Sequence, residues 1–346
     1  DVGVVSRREL HPAFLLVGGG EGGQDRLCVD ARARLLDFSE RAVNEQVGEE
    51  EDSPFFLPLL RAARPKSLLA AIVPVSLGFV LAQQVRGMFS SYLFVFTLLS
   101  TLCLQVATNF FNDAIDYEKG ADGAERIGPE RMAGSGALAP ASLIIAAVTM
   151  LAIAVTMSFP LLVARGWPII AIGIPSLYFT FGYTGGRWSL AYLGLGEIFV
   201  FVFFGLVAVA GSCFVASGEW LPESLLLGAQ VGLLATVLIA VNNARDSDGD
   251  RAVGKRRLAA RFGLRFARME IALCCIAPYL IGVLWFTAFE RPLACALPLL
   301  GLILSCSVAW GVSKTEPSPE YNRFLGLSAL ALLNFAILFS LGLYFG

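Results

Sequence analysis

The stretch NFFNDAIDYEKGADGAERIGPER, from Asn109 to Arg131, directly follows a long apolar run. If the helix of that run continues, Asn112 and Asp116 lie four residues apart and Asp113 lies three before Asp116, so their oxygens share one helix face. Such a face can hold a hard cation, because carboxylate and amide oxygens are the ligands it prefers. An acidic loop at a water interface would contain the same residues, and this stretch alone leaves both interpretations open.

The composition of the chain is that of an integral membrane protein. Of its 346 residues, 56% are hydrophobic and only 16% are charged, and its mean hydropathy is +0.69. A soluble domain of this length carries more charge. The single histidine, His11, lies near the N-terminus, so the apolar part offers no histidine as a base or ligand.

The first 53 residues differ from the rest. They carry 12 acidic and 6 basic residues, contain a GGGEGG run and show no strong helical period. Transit peptides are poor in acidic residues and secretory signals have a basic start before an apolar core, so neither fits. We expect residues 1–53 to form a poorly ordered leader and residues 54–346 to form a transmembrane domain.

Apolar windows long enough to cross a bilayer predict nine helices, because about 20 mostly apolar residues span the hydrocarbon. Gly173, Pro175 and Gly182 interrupt the fourth window. We therefore expect an all-α bundle of nine transmembrane helices. The windows are 67–84, 90–111, 138–163, 168–185, 193–216, 222–243, 267–288, 292–313 and 324–345.

The basic residues between these windows predict the orientation. One side carries 17 lysines and arginines, whereas the other carries only Arg86, Arg165 and Arg291. Because the side rich in Lys and Arg faces the cytoplasm, we expect the N-terminus and both polar stretches to be cytoplasmic and the C-terminus to lie outside.

A second polar stretch, VNNARDSDGDRAVGKRRLAARFG, follows the sixth window at residues 241–263. Asp246 and Asp250 are four residues apart on one helical face, Asn243 lies a turn earlier, and Lys255 follows with further cations. This order of amide, spaced carboxylates and cations repeats the first stretch. Two such stretches on the cytoplasmic side make chance acidic loops a poor explanation.

Facing carboxylates flanked by Lys and Arg fit a polyanionic ligand that Mg²⁺ bridges to the acids. No Walker A loop or dinucleotide fingerprint is present, so a nucleotide is not favoured, and we expect no nucleic-acid partner. A diphosphate with a long apolar tail explains why the site belongs in a lipid bilayer. Stabilising its departure generates an allylic cation that an electron-rich acceptor attacks.

Four stretches together resemble the UbiA superfamily of intramembrane prenyltransferases, and within it the MenA-type 1,4-dihydroxy-2-naphthoate polyprenyltransferases. The resemblance covers nearly all of residues 58–346 and rests on LRAARPKSLLAA, NDAIDYEKGADGAERIGPER, FGYTGGRWSLAYLGLGEIFVFVFFG and NNARDSDGDRAVGKRRLA. Many members carry NDxxDxxxD, whereas here the last position is Gly120 and the next acid is Asp122. This shift, with RIGPER after it, is similar to the naphthoate branch rather than the 4-hydroxybenzoate branch.

The resemblance implies a central cavity, Mg²⁺ as the cofactor and a set of site residues. The implied metal ligands are Asn112, Asp113, Asp116, Asp122, Asn243, Asp246 and Asp250. The diphosphate would meet Arg64, Lys119, Arg126, Arg131 and Lys255, with Lys66 as an alternative to Arg64. The implied catalytic residues are Asp116, Lys119, Asp246 and Asp250. Tyr178, Tyr183 and Glu197 are candidates for the acceptor side, although tyrosines at a membrane interface are an equal alternative for the first two.

In the family's reaction a polyprenyl diphosphate prenylates 1,4-dihydroxy-2-naphthoate with loss of CO₂ and diphosphate, giving demethylmenaquinone in menaquinone biosynthesis. Arg187 and Trp188 stand where the family often has a Pro-containing turn, which leaves other acceptors open: homogentisate, 4-hydroxybenzoate, haem, or phytylation towards phylloquinone. A cation-coupled transporter is the alternative of another class, and it requires acids near mid-membrane, where Glu197 is the only candidate. The resemblance favours the bacterial inner membrane as the location.

Overall fold

The computed structural model of the protein describes residues 56–121 and 127–346. These residues form helices and connecting turns without a β-strand, which confirms the all-α prediction. The leader expected at residues 1–53 lies outside the described residues, and the division of the chain at residue 54 stays a prediction.

Eight helices in the described part of the chain are long and apolar enough to cross a membrane, and a shorter apolar helix accompanies them. In chain order they are α1 (Pro65–Arg86), α2 (Ser91–Glu118), α3 (Pro140–Arg165), the shorter α4 (Trp167–Gly182), α5 (Gly196–Ser217), α6 (Pro222–Arg245), α7 (Leu264–Thr287), α8 (Pro292–Lys314) and α9 (Tyr321–Phe345). The protein is a multi-pass membrane protein, as its composition predicts.

The full count of nine spans is not confirmed, because α4 is short. It has 16 residues, which at the rise of an α-helix extend about 24 Å, less than the hydrocarbon thickness of about 30 Å. Pro168 lies in the first turn of this helix, and Tyr183 caps its C-terminal end.

Two boundaries differ from the prediction in ways that shape the site. Helix α2 continues to Glu118, seven residues beyond the predicted end, because the polar side chains of its last turns find buried partners. Helix α5 begins at Gly196, since Gly194 adopts a left-handed conformation (φ 78°) that ends a short helix, Leu190–Leu193.

Helix α6 is the most enclosed of the eight, with 67% of its apolar window buried. Gly232 lets α5 approach closely, since a Cβ at this position would lie 2.6 Å from the carbonyl oxygen of Phe201. Gln230 joins α6 to α7 by donating to the Pro278 carbonyl (2.7 Å) and accepting from the Trp285 indole (2.7 Å). These contacts fix the position of α6, and the second polar stretch begins in its last turn.

Candidate active site

The two polar stretches meet at Asp116, in the last turn of α2. Its side chain is 2% exposed, and its Oδ2 lies 3.0 Å from Nζ of Lys255 and 3.8 Å from a guanidinium nitrogen of Arg131. The Tyr192 hydroxyl donates to Oδ1 at 3.2 Å. One carboxylate therefore joins cations from both stretches, as the facing clusters in the sequence predict.

Asp113 lies on the same helix face but contacts backbone rather than cations. Its Oδ2 accepts from the Met132 N–H (3.2 Å) and its Oδ1 from the Ala133 N–H (3.0 Å). Buried N–H groups need such partners. Asp113 thus holds the chain immediately after Arg131 and brings that arginine beside Asp116.

The carboxylates of the second stretch are each paired with an arginine. Arg245 holds Asp246 with two hydrogen bonds, Nε to Oδ1 at 2.7 Å and Nη2 to Oδ2 at 2.8 Å. Arg257 donates to Oδ2 of Asp250 at 2.9 Å. Because Arg245 is fully buried and also donates to Asn322 of α9 (2.6 Å), Asp246 is tied to the end of the bundle.

The loop between α4 and α5 forms the third part of the site. Its Tyr192 ring lies beneath both lysines, with Lys119 Nζ 4.0 Å and Lys255 Nζ 5.2 Å from the ring centroid. Lys119 also donates to the Thr184 carbonyl at 2.7 Å, and the Thr184 hydroxyl hydrogen-bonds Oδ1 of Asn112. The loop therefore connects the end of α2 to the segment containing Lys255.

Burial shifts the pKa values of the groups at the centre of this site. Removal of water raises the pKa of the Asp250 carboxyl, with Asp246 and Asp116 adding to the rise and Arg257 and Lys255 opposing it. Burial also lowers the pKa of Lys255, with Arg257 adding to the effect. The acids and the cations have both lost water here. A ligand that brings a metal ion and phosphate would give the acids a cation and the cations an anion as stronger partners.

The remaining predicted residues lie in different parts of the molecule. Arg64 precedes α1 in a segment that Asn109 of α2 holds by donating to the Ala63 carbonyl at 2.8 Å. Asn243 of α6 donates to Glu197 of α5 at 2.6 Å, and both are buried. Tyr183 is partly buried, whereas Tyr178 is 56% exposed and is not brought together with the others. The predicted positions Asp122 and Arg126 lie outside the described residues.

Sequence reasoning missed Tyr192 and Arg257 as site residues. Arg257 is one of three consecutive cations, and spacing alone cannot select which one pairs with Asp250. Tyr192 belongs to the YTGGRWSLAY stretch, but its contact depends on the left-handed turn at Gly194, which packs against the backbone of Arg256. The sequence shows a tyrosine next to a glycine turn, but it does not indicate which residues this tyrosine contacts.

The donor set fits a magnesium ion that is shared with a ligand. Among residues 56–121 and 127–346, no group of three or more His, Cys, Asp or Glu side chains is close enough to hold a metal unaided. Mg²⁺ is usually held by one or two carboxylates, with water and substrate phosphates completing its coordination. Asp116, Asp246 and Asp250 would supply such carboxylates, and the charges of Asp116 and Asp246 both act on Asp250.

Fold and site together define a class: multi-pass membrane proteins with a buried site of acids and cations, suited to a polyanion, at one end of the helices. The model of the UbiA prenyltransferase family matches residues 71–341. The chain belongs to the UbiA prenyltransferase family.

Relatives and solved structures agree with this assignment. The 1,4-dihydroxy-2-naphthoate octaprenyltransferase of Haemophilus influenzae is 33% identical over 302 residues, covering 82% of this chain and 94% of the relative. The protein of the same name from Mycobacterium tuberculosis is 31% identical, covering 84% and 98%. A UbiA homolog from Archaeoglobus fulgidus, solved bound to GPP and Mg²⁺, has the same fold with a TM-score of 0.60 and 16% identity, covering 82% of this chain and 99% of that one.

Proposed function

We propose that this protein transfers a polyprenyl group from an allylic polyprenyl diphosphate to 1,4-dihydroxy-2-naphthoate. The observation that carries the proposal is the contact between the two polar stretches at the buried carboxylate of Asp116. The chain is also 33% identical to a relative named for this reaction. The product, in menaquinone biosynthesis, is demethylmenaquinol, which oxidises to demethylmenaquinone.

The diphosphate of the donor binds among cations supplied by three segments: Lys119 after α2, Arg131 before α3, and Lys255 with Arg257 after α6. These groups offset the charge of the leaving diphosphate. Asp116, Asp246 and Asp250 would hold Mg²⁺, which when bound would supply positive charge to the diphosphate oxygens. Asp113 takes a structural part in this proposal, because both of its oxygens hold backbone N–H groups.

The reaction balances without an added oxidant. The C–O bond between the allylic carbon and the diphosphate breaks, and its electron pair leaves with the diphosphate. The ring carbon that carries the carboxylate forms the new C–C bond, and when its bond to CO₂ breaks, the electron pair of that bond returns to the ring. The immediate product is therefore the quinol.

Aromatic side chains beside the polar site suit the developing allylic cation. Phe199 stacks on Phe203 at 4.5 Å between ring centroids, and Phe179 and Tyr183 pack against Phe199 at 5.3 Å and 5.6 Å. Aromatic faces attract cations, most strongly when water is excluded. Phe201–Val207 of α5 forms a π-helical segment, a local irregularity that is frequent at functional sites.

For the cell we propose a bacterial inner membrane, with the N-terminus and the active site cytoplasmic and the C-terminus outside. The excess of Lys and Arg on one side supports this orientation. A periplasm-dependent reporter fused after Gly346 is expected to be active, and the same reporter placed after Lys314 is expected to be inactive. The reverse pattern would overturn the orientation.

The test of the reaction uses membranes containing the protein, Mg²⁺ and allylic diphosphates of several lengths. Each of 1,4-dihydroxy-2-naphthoate, homogentisate and 4-hydroxybenzoate is offered separately, and products are identified by mass against membranes lacking the protein. We expect a prenylated quinone only with the naphthoate, and none when Mg²⁺ is chelated. Preferential prenylation of another acceptor would refute the acceptor assignment.

A further inference from the structure

Glu197, near the start of α5, carries a carboxylate oxygen that the fold leaves unused. The residue is 3% exposed, and its Oε1 accepts from Asn243 Nδ2 at 2.6 Å. Its Oε2 is buried and has no hydrogen-bond partner within the described part of the chain. Buried carboxylate oxygens without partners are costly, so such an oxygen in a membrane helix points to a ligand group.

Glu197 lies where the polar site meets the aromatic side chains. Arg257 and Asp250 of the polar site are close enough for their charges to act on it, and so is Glu270 of α7. The Tyr183 hydroxyl packs against the neighbouring Gly196, so closely that a Cβ at Gly196 would lie 2.9 Å from it. This place suits a planar molecule with a polar edge.

Asn243 fixes the carboxylate in one orientation. A carboxylate can only accept hydrogen bonds, so the Asn243 amide must present its N–H₂ group to Oε1. The carboxylate is then held by one oxygen and presents the other. Accepting the hydrogen bond of the Asn243 amide requires only one oxygen of Glu197. The second oxygen, Oε2, therefore has no structural role among the described residues.

We propose that Oε2 of Glu197 accepts a hydrogen bond from a ring hydroxyl of the aromatic acceptor, and thereby selects hydroxylated aromatic acids. This inference rests on the proposed function. The hydrogen bond orients the ring and increases the electron density that the hydroxyl oxygen donates to it, which favours attack by a ring carbon. Glu197 would then contact the acceptor and leave the diphosphate to the cations described above.

The test measures how strongly the protein prefers a hydroxylated acceptor. Inhibition of prenylation by 1-hydroxy-2-naphthoate, 4-hydroxy-2-naphthoate and 2-naphthoate gives the preference for each hydroxyl in the wild type and in Glu197→Gln. The wild type is expected to prefer one hydroxylated compound by about 10- to 100-fold, because the binding group is charged. Glu197→Gln keeps an acceptor for Asn243 and is expected to reduce the preference about tenfold, while KM for the prenyl diphosphate changes by less than about twofold.

Glu223→Gln is the matched control. Glu223, in the first turn of α6, also has a buried oxygen without a partner in the described residues, but it lies at the opposite end of that helix. We expect it to leave the hydroxyl preference unchanged. If Glu197→Gln does not fold, Glu197→Asp, which keeps the charge on a shorter side chain, is expected to raise KM for the acceptor and not for the donor.

Two results separate this inference from the proposed function. An active Glu197→Gln with the wild-type hydroxyl preference would overturn the role of Glu197 and leave the prenyl transfer intact. Wild-type activity with 4-hydroxybenzoate but not with the naphthoate would overturn the proposed acceptor. The comparison of 4-hydroxybenzoate with benzoate then tests Glu197 in the same way, and equal preference in both proteins would refute it.

Discussion

The two polar stretches look alike in sequence but distribute their charges differently. In the first, Asp113 is bonded to backbone N–H groups, and Asp116 faces Lys255 of the second stretch at 3.0 Å and Arg131 of its own stretch at 3.8 Å. In the second, Asp246 and Asp250 each have an arginine from their own stretch. The first stretch therefore takes the nearer cation of Asp116 from the second stretch, whereas the second is largely balanced within itself.

This difference identifies Asp116 as the residue on which the site depends most. A carboxylate that contacts Lys255, Arg131 and Tyr192 joins three segments distant in sequence, so its loss affects all three. The acids of the second stretch keep local arginine partners if the first stretch moves. We use this asymmetry to order the expected effects of substitution.

Asp116→Asn is expected to have the largest effect. Removing the charge takes the carboxylate partner from buried Lys255 and removes a proposed metal ligand, so kcat should fall by about 10²- to 10³-fold. Prenyl transfer in purified protein measures the loss. Asp248→Asn is the matched control, because Asp248 belongs to the second stretch with its side chain 87% exposed; an equal loss in both variants would contradict the central place of Asp116.

Asp113→Ala is expected to act on stability rather than on chemistry. It leaves the buried N–H groups of Met132 and Ala133 without their acceptor, which should cost about 2–3 kcal/mol of unfolding free energy. Thermal unfolding in detergent measures the change, with Asp116→Asn compared in parallel. Normal stability together with a complete loss of kcat would show that Asp113 acts on the reacting groups instead.

Tyr192→Phe sharpens the role of the third segment. It removes the hydroxyl that donates to Asp116 but keeps the ring beneath the two lysines, so kcat/KM should fall only about three- to tenfold. Tyr192→Leu removes the ring as well and should cost more, because the cation–π contacts are lost. Equal effects of both variants would show that the ring contributes nothing.

Lys119 gives the smallest and most specific effect, a change in pH dependence. Partial removal of water lowers the pKa of its ammonium group, although the side chain stays exposed to solvent, and Asp116 opposes the shift. Because the neutral form then appears at a lower pH than in an ordinary lysine, KM for the prenyl diphosphate should rise as the pH becomes alkaline. Lys119→Arg stays charged and should flatten this rise, whereas Lys66→Arg, in the first turn of α1, should not.

The sequence predicted what local spacing determines. Helical period and clustered charge identified both polar stretches, and the contact between Asp116 and Lys255 joins them as expected. The role of Asp113 was not predictable, since its partners are backbone N–H groups that leave no side-chain pattern. Nor was the position of Tyr178, because helical spacing does not tell which face of α4 is exposed.

Helix ends and loop contacts were the least predictable part of the site. Helix α2 runs past its apolar window because buried hydrogen bonds stabilise polar residues that hydropathy assigns to water, as those to Asp113 do. Loops supply two of these contacts. Arg257 pairs with Asp250, and Tyr192 lies against Lys119 and Lys255. Such contacts depend on tertiary geometry, which the periodicity of the sequence does not predict.

The most direct test of the account measures the ratio of the three reaction products formed by the purified protein in lipid vesicles. With Mg²⁺, an allylic polyprenyl diphosphate and 1,4-dihydroxy-2-naphthoate labelled with ¹⁴C in its carboxylate, we expect labelled CO₂, diphosphate and prenylated quinol in equal amounts. Omission of the acceptor or of Mg²⁺ should abolish all three. Retention of the label in the prenylated product, or quinol formation without Mg²⁺, would contradict the account.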